Sequence, residues 1–348
     1  MAHSYRHWRA KRFLDAHAMR RLNAFTEAMW AEAADSVGAA VTELTPGLWQ
    51  FTRDLSFAHI VGQRTPFANP VATELANVKD IAYGVLRAAD VPIPEHVVVS
   101  NDRSGAFELL EGTGGPVVAK PARGGGAGLG VTTSIATRKQ LALALRRGSL
   151  TSSRLVVERE VVGEHYRILL LDGEVLDIIE RRKPSVVGDG VSTVKQLMFV
   201  EFERRLHDER NWKPFPVDLD CMFTLDRQGI PLSHVPEAGE VVVVKGATNI
   251  SGPRDCATYR GAVHTDVVSV TRRAAAALGV RLAGVDVVTS DLSVPLASSG
   301  GVVLEVNPIP GLFHHYNVSN PNGASRVAIP ILEALLTQQS SREIAQPA

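Results

Sequence analysis

A glycine-rich stretch is the first place where this sequence could do chemistry. In the segment VVAKPARGGGAGLGV, residues 117–131, five of the seven residues from Gly124 to Gly130 are glycine. Glycine lets a backbone approach a ligand closely and present its N–H groups to phosphate oxygens. Lys120, on the apolar strand before the loop, adds a positive charge that suits a phosphate. The stretch therefore favours a phosphate site over the alternative, a flexible surface loop.

Two common phosphate-binding motifs do not describe this loop. A Walker A motif needs Lys and then Ser or Thr after the loop, whereas Gly130 is followed by Val131 and Thr132. The G-x-G-x-x-G spacing of dinucleotide-binding folds occurs at no register between Gly124 and Gly130, and the next residues are typical of a strand rather than a helix. A phosphate site here therefore belongs to another kind of fold.

A group of oxygen-bearing side chains lies much further along the chain. Asp286 is in the apolar segment LAGVDVVTSD, and Glu305 and Asn307 alternate in GGVVLEVNP. Residues i and i+2 of a strand point to the same face, so Glu305 and Asn307 can reach one site, with Asp286 arriving from a neighbouring strand. Carboxylate and amide oxygens are the ligands that Mg²⁺ prefers. The pattern indicates a magnesium site; the alternative is a polar strand end with hydrogen-bonded side chains.

Composition limits the class of protein. The chain has 348 residues, 37 Lys+Arg, 37 Asp+Glu and two cysteines, Cys221 and Cys256, neither in a CxxC pair. The balanced charge argues against a generic nucleic-acid binder, and the cysteines argue against a disulfide framework or a structural zinc site. No apolar run reaches the roughly 18 residues of a membrane helix, and the Arg-rich N-terminus is typical of an amphipathic helix or a transit peptide. We expect a cytoplasmic protein without nucleic-acid or membrane partners.

The elements that must position these residues are helices and short strands. Apolar periodicity predicts helices over residues 1–45, 72–89, 137–147, 201–220, 265–278 and 328–336. The segment YRILLLDGEVLDIIERR predicts a β-hairpin that turns at Asp172 and Gly173. Antiparallel hairpins with covering helices indicate the α+β fold class.

In this order the segments resemble the ATP-grasp superfamily, and within it the ATP-grasp region of cyanophycin synthetases and of bifunctional glutathione synthetases. The resemblance runs from about Gly62 to Pro330. It rests on ELANVKD, VVAKPARGGGAGLGV, VVEREVVGEHYRILLLDGEVL, RRKPSVVGDGVSTVKQL, LAGVDVV and VLEVNPIPGL. It implies an ATP-grasp fold, with two α+β subdomains clamping ATP. The implied parts are a short N-terminal helical region (1–72), a small subdomain with a glycine-rich lid (73–157), a C-terminal subdomain with the metal site (158–336) and a disordered tail (337–348).

The resemblance also implies roles for individual residues. Two lysines would hold the α- and β-phosphates, the loop 123–130 would close over the triphosphate, and Glu158 would face the adenine amino group. The implied nucleotide-binding residues are Lys79, Lys120, Arg123, Gly124, Gly125, Gly126, Gly128, Glu158, Arg159, Val161, His165 and Arg167. The implied ligands of Mg²⁺, for which Mn²⁺ could substitute, are Asp286, Glu305 and Asn307.

Other residues are assigned to the substrates. Arg182 matches a basic position near the phosphates or a substrate carboxylate, and Arg254, in a polar loop, is expected to grip a substrate carboxylate because its planar fork suits one. His165 occupies a place that is usually acidic and contacts the ribose, so either it or Glu164 takes that role. The adjacent histidines at 314 and 315 border the expected acceptor site, although such pairs are more often exposed.

The resemblance implies an ATP-dependent carboxylate–amine ligase. It would form an amide or peptide bond through an acylphosphate, release ADP and phosphate, and act on a small carboxylate and an amine, such as an amino acid or a small peptide. The chain stops soon after the ATP-grasp region, so we expect one ligation step, without the second domain of cyanophycin synthetases, and a homodimer. The alternatives are a phosphotransferase with a stable phosphorylated product and a nucleotide-binding regulatory module without turnover.

Overall fold

The computed structural model describes residues 2–124, 130–210, 217–248 and 252–344. The helices are α1 (Ala2–Ser36), α2 (Pro70–Asn77), α3 (Lys79–Ala88), α4 (Ser104–Gly112), α5 (Arg138–Gly148), α6 (Val194–His207), α7 (Leu219–Arg227), α8 (Thr265–Ala277), α9 (Leu296–Ser299), α10 (Phe313–Tyr316) and α11 (Ala328–Ile344). The strands are β1 (Ala40–Thr45), β2 (Leu48–Arg53), β3 (Ser56–Val61), β4 (His96–Val99), β5 (Val117–Pro121), β6 (Thr132–Ile135), β7 (Leu155–Arg159), β8 (Glu164–Leu171), β9 (Glu174–Arg181), β10 (Ser185–Val187), β11 (Val241–Val243), β12 (Cys256–Thr258), β13 (Leu282–Thr289) and β14 (Val302–Asn307). Among the described helices, none is both long and apolar enough to cross a bilayer.

A four-stranded antiparallel sheet, ordered β4-β7-β5-β6, carries the strands on either side of the glycine-rich loop. Helices α4 and α5 cover it through Leu109, Leu141 and Leu145, which pack on Val157. Phe223 of α7 joins the same core although it is far away in sequence. This sheet forms the small subdomain.

A five-stranded antiparallel sheet, ordered β12-β9-β8-β13-β14, forms the larger subdomain. Strands β8 and β9 are the predicted hairpin, and Asp172 and Gly173 at its turn both have positive φ, 51° and 84°. Ile168 and Val285 face helices α3 and α8 in the largest apolar core. Alternate side chains therefore point to the opposite face of the sheet, where the polar residues of β8, β9, β13 and β14 lie.

The N-terminal region packs on one end of that opposite face. Strands β1, β2 and β3 form an antiparallel sheet, and Trp30 of α1, Phe51 of β2 and Ile331 of α11 lie in one core with Leu169 and Leu171 of β8. This packing covers the end of the face that carries Leu169 and Leu171. The end that carries the polar side chains stays accessible, so a ligand can bind there.

Residues 185–210 and 217–248 form a third unit with its own small core. Strands β10 and β11 pair, and Val194 and Met198 of α6 pack with Cys221 and Leu225 of α7. Because α7 places Cys221 and Leu225 in this core and Phe223 in the core of the small subdomain, it joins the two units.

The structure corrects several predicted elements. The predicted helix 72–89 is two helices, because Val78 is extended (φ −107°, ψ 93°) and the Lys79 N–H donates to the Ala122 carbonyl instead. The predicted helix 1–45 ends at residue 36 and is followed by β1. The predicted helix 201–220 is replaced by α6 and α7; α6 begins at a capping box formed by Thr193 and Gln196. The last helix, predicted to end at residue 336, continues to Ile344 where a disordered tail was expected.

Candidate active site

An open cleft of about 810 Å³ is lined by strands of both larger sheets. The small subdomain contributes Val118 and Lys120 of β5 and Glu158 of β7. The larger subdomain contributes the polar, uncovered part of its sheet. Most of the charged side chains named from the sequence lie on these walls, so the fold brings together residues that are far apart along the chain.

Three neighbouring strands place a row of charged side chains across the cleft. Arg167 of β8 lies directly opposite Asp286 of β13, which lies opposite Glu305 of β14. Asn307 follows on the same face of β14, opposite Gly284. A Cβ atom at Gly284 would lie 3.0 Å from Pro310 and 3.4 Å from Arg167, so glycine leaves room for the guanidinium to lie along the sheet.

Arg167 holds the Asp286 carboxylate with two hydrogen bonds. Its Nε donates to Oδ1 at 2.6 Å and its Nη2 donates to Oδ2 at 2.7 Å. Arg181 Nη1 lies 3.3 Å and His165 Nε2 3.5 Å from Oδ2. Burial alone would raise the pKa of Asp286, but the attraction and the two hydrogen bonds of Arg167 hold that pKa well below its usual range. Asp286 is therefore a carboxylate surrounded by an excess of positive charge.

Arg181 and His165 retain hydrogen-bonding capacity at this point of the cleft. The Nε atom of Arg181 and the Nε2 atom of His165 are buried, and neither makes a hydrogen bond to another described group. Burial and the neighbouring Arg167 lower the pKa of Arg181, and burial lowers the pKa of His165. Unpaired buried donors are costly in a folded protein, so their presence here indicates a site that completes its hydrogen bonds with a ligand.

A second buried cluster lies on the opposite wall. Lys120 Nζ lies 2.7 Å from Glu158 Oε2 and donates to the Tyr83 hydroxyl at 2.8 Å. The Tyr83 hydroxyl lies 2.8 Å from Glu158 Oε2 and 3.0 Å from the Leu304 carbonyl. Burial, with Glu158 next, raises the pKa of Tyr83 well above its usual value, so the hydroxyl keeps its proton. The lysine and the glutamate, to which the resemblance assigned separate parts of the nucleotide, form one ion pair in this structure.

Lys79 reaches the cleft because the helix breaks before it. As the first residue of α3, it places its Nζ 3.7 Å from Glu305 Oε2, at the end of the row that begins with Arg167. The side chain of Lys79 is 12% exposed and that of Glu305 is 38% exposed. An uninterrupted helix through Val78 would have lost the hydrogen bond from Lys79 N–H to Ala122, which ties the start of α3 to β5.

The candidate metal ligands suit a hard divalent cation. Asp286, Glu305 and Asn307 offer two carboxylates and one amide, all oxygen donors on one face of adjacent strands. Within the described ranges no group of three or more His, Cys, Asp or Glu side chains forms a metal site. The candidate set has two such residues, and the third donor is an amide. Glu305 is the most accessible of its carboxylates, whereas Asp286 is engaged by Arg167.

The chain has relatives of known activity. It is 31% identical over 279 residues to a cyanophycin synthetase of Nostoc sp., which covers 79% of this chain and 30% of that protein. It is 25% identical over 245 residues to the glutathione biosynthesis bifunctional protein of Streptococcus mutans, covering 68% of this chain and 32% of that protein. No family model matches. The chain thus spans about a third of the length of the curated relatives that it matches.

The fold is also found in a solved structure. A bifunctional glutathione synthetase from Pasteurella multocida superimposes with a TM-score of 0.56 and 22% identity, over 86% of this chain and 42% of that one. The chain has an ATP-grasp fold. The four-stranded and five-stranded sheets belong to its two subdomains. The cleft between them is where the residues predicted from the sequence are expected to lie.

The structure places most predicted residues on the walls of the ATP-grasp cleft. These are Lys79, Lys120, Arg123, Gly124, Glu158, Arg159, Val161, His165, Arg167, Asp286, Glu305 and Asn307. Gly125, Gly126 and Gly128 lie outside the described residues. His165, considered for the ribose, points to Asp286 instead and hydrogen-bonds Thr248 through Nδ1, whereas Glu164 is exposed at the cleft.

Two arginines assigned to the substrate lie away from the cleft. The side chain of Arg182 is 48% exposed and pairs with Glu180, and that of Arg254 is 66% exposed and lies 3.8 Å from Glu201. Because side chains alternate along β9, Arg181 faces Asp286 and Arg182 does not. The arginine of this segment that lines the cleft is therefore Arg181, the last residue of β9, and the substrate role of Arg182 stays a prediction.

The sequence also gave no reason to select several residues that do line or support the ATP-grasp cleft. Arg181, Lys183, Thr133 and Phe313 are on its walls, and the Tyr83 hydroxyl accepts a hydrogen bond from Lys120. The period-2 alternation of the hairpin could have identified Arg181, since it shares parity with Arg167 across the turn register. No comparable signal marks Tyr83, which looks like an ordinary apolar position of α3.

Proposed function

We propose that this protein is an ATP-dependent ligase that joins a carboxylate to an amine, on an amino acid or a small peptide. The observation that carries the proposal is the meeting of two groups in one cleft: Lys79 and Lys120, and the oxygen donors Asp286, Glu305 and Asn307. Cations for phosphate and oxygen ligands for a divalent cation are the two requirements of phosphoryl transfer from a nucleotide. The homology to cyanophycin and glutathione-forming enzymes supports the same reaction class.

The nucleotide would lie along the wall formed by β5 and β7. The N–H groups of Arg159 and Glu160 donate to the carbonyls of Glu95 and Pro116, which fixes the segment that would border the adenine. Lys120 would move from its pair with Glu158 toward a phosphate oxygen, and Glu158 would then be available to the adenine amino group. Glu164, exposed at the cleft, would take the ribose hydroxyls, since His165 is engaged elsewhere.

Asp286, Glu305 and Asn307 would hold Mg²⁺. When bound, the ion would neutralise charge on the β- and γ-phosphates. The guanidinium groups of Arg167 and Arg181 would add further positive charge. Both guanidiniums flank Asp286, where negative charge would develop during transfer, and fixed cations in a partly buried cleft stabilise such charge without reorganising.

The reaction has two balanced steps. A carboxylate oxygen of the acid attacks the γ-phosphorus of ATP, the bond to the β–γ bridging oxygen breaks, and ADP leaves with its electron pair. The nitrogen of the amine then attacks the acyl carbon, the carbon–oxygen bond to phosphate breaks, and a proton leaves the nitrogen as the amide forms. Exclusion of water from the cleft would protect the mixed anhydride between the steps.

An ADP-release screen tests the proposal directly. Pairs of acids and amines drawn from amino acids and dipeptides are incubated with MgATP, and hydroxylamine replaces the amine in a parallel series. We expect ADP release that requires the acid, a hydroxamate with hydroxylamine, and an amide in the mass spectrum with the natural amine. ADP release with a stable phosphorylated product would instead identify a phosphotransferase, and no turnover with any pair would contradict an enzymatic role.

Glu305→Gln tests the candidate metal site. We expect turnover to fall at least a hundredfold, which corresponds to about 2.7 kcal/mol, because a carboxylate ligand becomes an amide. The melting temperature should change little, since the side chain is partly exposed and its contact with Lys79 is long. Glu203→Gln, which alters an exposed glutamate of α6, is the matched control. Near-wild-type turnover in Glu305→Gln would remove Glu305 from the metal site.

A further inference from the structure

A buried carboxylate outside the row of charged side chains on β8, β13 and β14 accepts hydrogen bonds from two separate walls of the cleft. Asp220, at the start of α7, is fully buried. Its Oδ1 accepts from the backbone N–H and the hydroxyl of Thr133, both at 2.7 Å. Its Oδ2 accepts from the Ala247 N–H at 3.0 Å and lies 3.1 Å from Lys245 Nζ. Thr133 belongs to β6, and Ala247 to the segment 246–248 that lines the other side of the cleft.

The two walls touch at this point. A Cβ atom at Gly246 would lie 2.0 Å from the Thr133 hydroxyl, so only glycine permits the approach. Lys245, 2% exposed, also binds Asp218 through both carboxylate oxygens, at 2.8 and 2.7 Å. Burial disfavours the ammonium, but the two aspartates outweigh this and raise the pKa of Lys245. The cluster is thus a buried junction in which Asp220 has a partner on each of its two oxygens.

The junction is also connected to the row of charged side chains that contains Asp286. Thr248, next to Ala247, hydrogen-bonds His165 Nδ1, and His165 Nε2 lies 3.5 Å from Asp286. A second link runs from α7 to the nucleotide wall: Arg227 binds Glu160, whose other oxygen accepts from the Ser134 N–H. Ser134 has a positive φ of 56°, a strained conformation for a residue other than glycine, and this hydrogen bond helps to hold it.

We infer that Asp220 is a positioning residue that couples nucleotide binding on the sheet of β5, β6 and β7 to the order of segment 246–248, which also lines the cleft. One rigid carboxylate with four donors transmits a shift of Thr133 to Ala247, because neither partner can move without breaking a buried hydrogen bond. The coupling rests on the proposed function only in requiring that the cleft binds a nucleotide.

Hydrogen exchange measured by mass spectrometry tests the coupling without turnover. The probe is MgAMP-PNP, with its binding checked by calorimetry. In the wild-type protein we expect the probe to slow exchange both in peptides covering 131–136 and in peptides covering 243–248. In Asp220→Asn the amide keeps its oxygen for Thr133 and turns its NH₂ toward Ala247 and Lys245, which are also donors. We expect protection of 131–136 to persist, protection of 243–248 to disappear, and exchange at Ala247 without the probe to be at least about tenfold faster.

Two further variants keep the test decisive if Asp220→Asn folds poorly. Thr133→Val removes one hydrogen bond and no charge, and we expect it to weaken the protection of 243–248. Thr271→Val is the matched control, because Thr271 is fully buried in α8 and its hydroxyl donates to the Val268 carbonyl, on the other face of the large sheet. We expect it to leave the protection of both segments unchanged.

The outcomes separate the inference from the proposed function. Protection of 131–136 alone in the wild-type protein, or unchanged protection of 243–248 in both Asp220→Asn and Thr133→Val, would overturn the coupling while leaving the nucleotide site in place. Absence of calorimetric binding and of any protection would overturn the proposed function, and the coupling with it.

Discussion

Two buried arginine–aspartate pairs in this protein have similar geometry and different surroundings. Arg167 binds Asp286 in the cleft at 2.6 and 2.7 Å, and Arg205 of α6 binds Asp255, the residue before β12, at 2.8 and 2.8 Å. Around Asp286, a second arginine approaches one carboxylate. Around Arg205, a second carboxylate, Glu201, accepts from its Nε at 2.7 Å.

The difference separates a binding site from a structural junction. Asp255 also accepts from the Gly252 N–H, so its carboxylate and the Arg205 fork are matched within the protein. Near Asp286, by contrast, Arg181 Nε and His165 Nε2 have no hydrogen-bond partner among the described groups. Spare buried donors and surplus positive charge suit an anionic ligand such as a phosphate, whereas a closed network holds elements together.

The largest expected effect breaks the structural pair. Arg205→Gln leaves Asp255 buried without its cation and leaves Glu201 with Arg204 alone, so we expect the free energy of unfolding to fall by about 3–5 kcal/mol. Urea unfolding followed by circular dichroism measures it. Arg204→Gln is the control, because that arginine binds the same Glu201 from a partly exposed position and should cost at most about 1 kcal/mol. Equal losses in the two variants would contradict a structural role specific to Arg205.

Breaking the Arg167–Asp286 pair in the cleft should affect activity more than stability. Arg167→Gln is expected to reduce ADP release at least about a hundredfold, since a fixed cation near the developing charge is lost. Stability should fall less than in Arg205→Gln, because Arg181 remains beside Asp286. Arg182→Gln, one residue from Arg181 but directed away from the cleft, should keep wild-type activity. A stability loss as large as that of Arg205→Gln, with activity retained, would reverse the comparison.

The smallest expected effect is a change in how the free energy of unfolding depends on pH. Burial, together with Arg181 and Arg167, holds the pKa of His314 well below its usual value, so the imidazole is neutral in the folded state. The unfolded chain takes up the proton first. The free energy of unfolding should therefore fall as the pH drops below about 6.5, by up to about 1.4 kcal/mol per pH unit for such a residue. Thermal melts from pH 7.5 to 5.5 should show a shallower dependence in His314→Gln, and identical slopes would contradict it.

Local structure could be predicted from the sequence where a short segment determines it. The turn at Asp172 and Gly173, the alternation of Glu305 and Asn307 and the strand that carries Lys120 depend on neighbouring residues only, and all appear as predicted. The break at Val78 was not predicted, because a hydrogen bond from Lys79 to a distant carbonyl competes with the helical one. The start of α6 could have been predicted from its capping box, T-x-x-Q.

Site residues divide in the same way. The types and order of Lys120, Asp286 and Glu305, together with the resemblance that added Lys79 and Glu158, predicted a nucleotide cleft, and the structure brings all five to one cavity. The alternation of the hairpin favours Arg181 over Arg182, but the partner of Arg181, Asp286, belongs to a strand far along the chain and is known only from the structure. Arg254 looked suitable by type alone, but its neighbours in space place it at an exposed edge.

The sequence by itself therefore determined the α+β class and the two chemical groups of the cleft, because each depends on residue type and local order, and its resemblance to a known family supplied the reaction type to propose. Only the tertiary structure decided which partners those groups have. Lys120 pairs with Glu158, Arg167 pairs with Asp286, and Asp220 joins Thr133 to Ala247. Such contacts are long-range: they exist only after the sheets have formed, and burial then decides which charges are matched and which remain for a ligand.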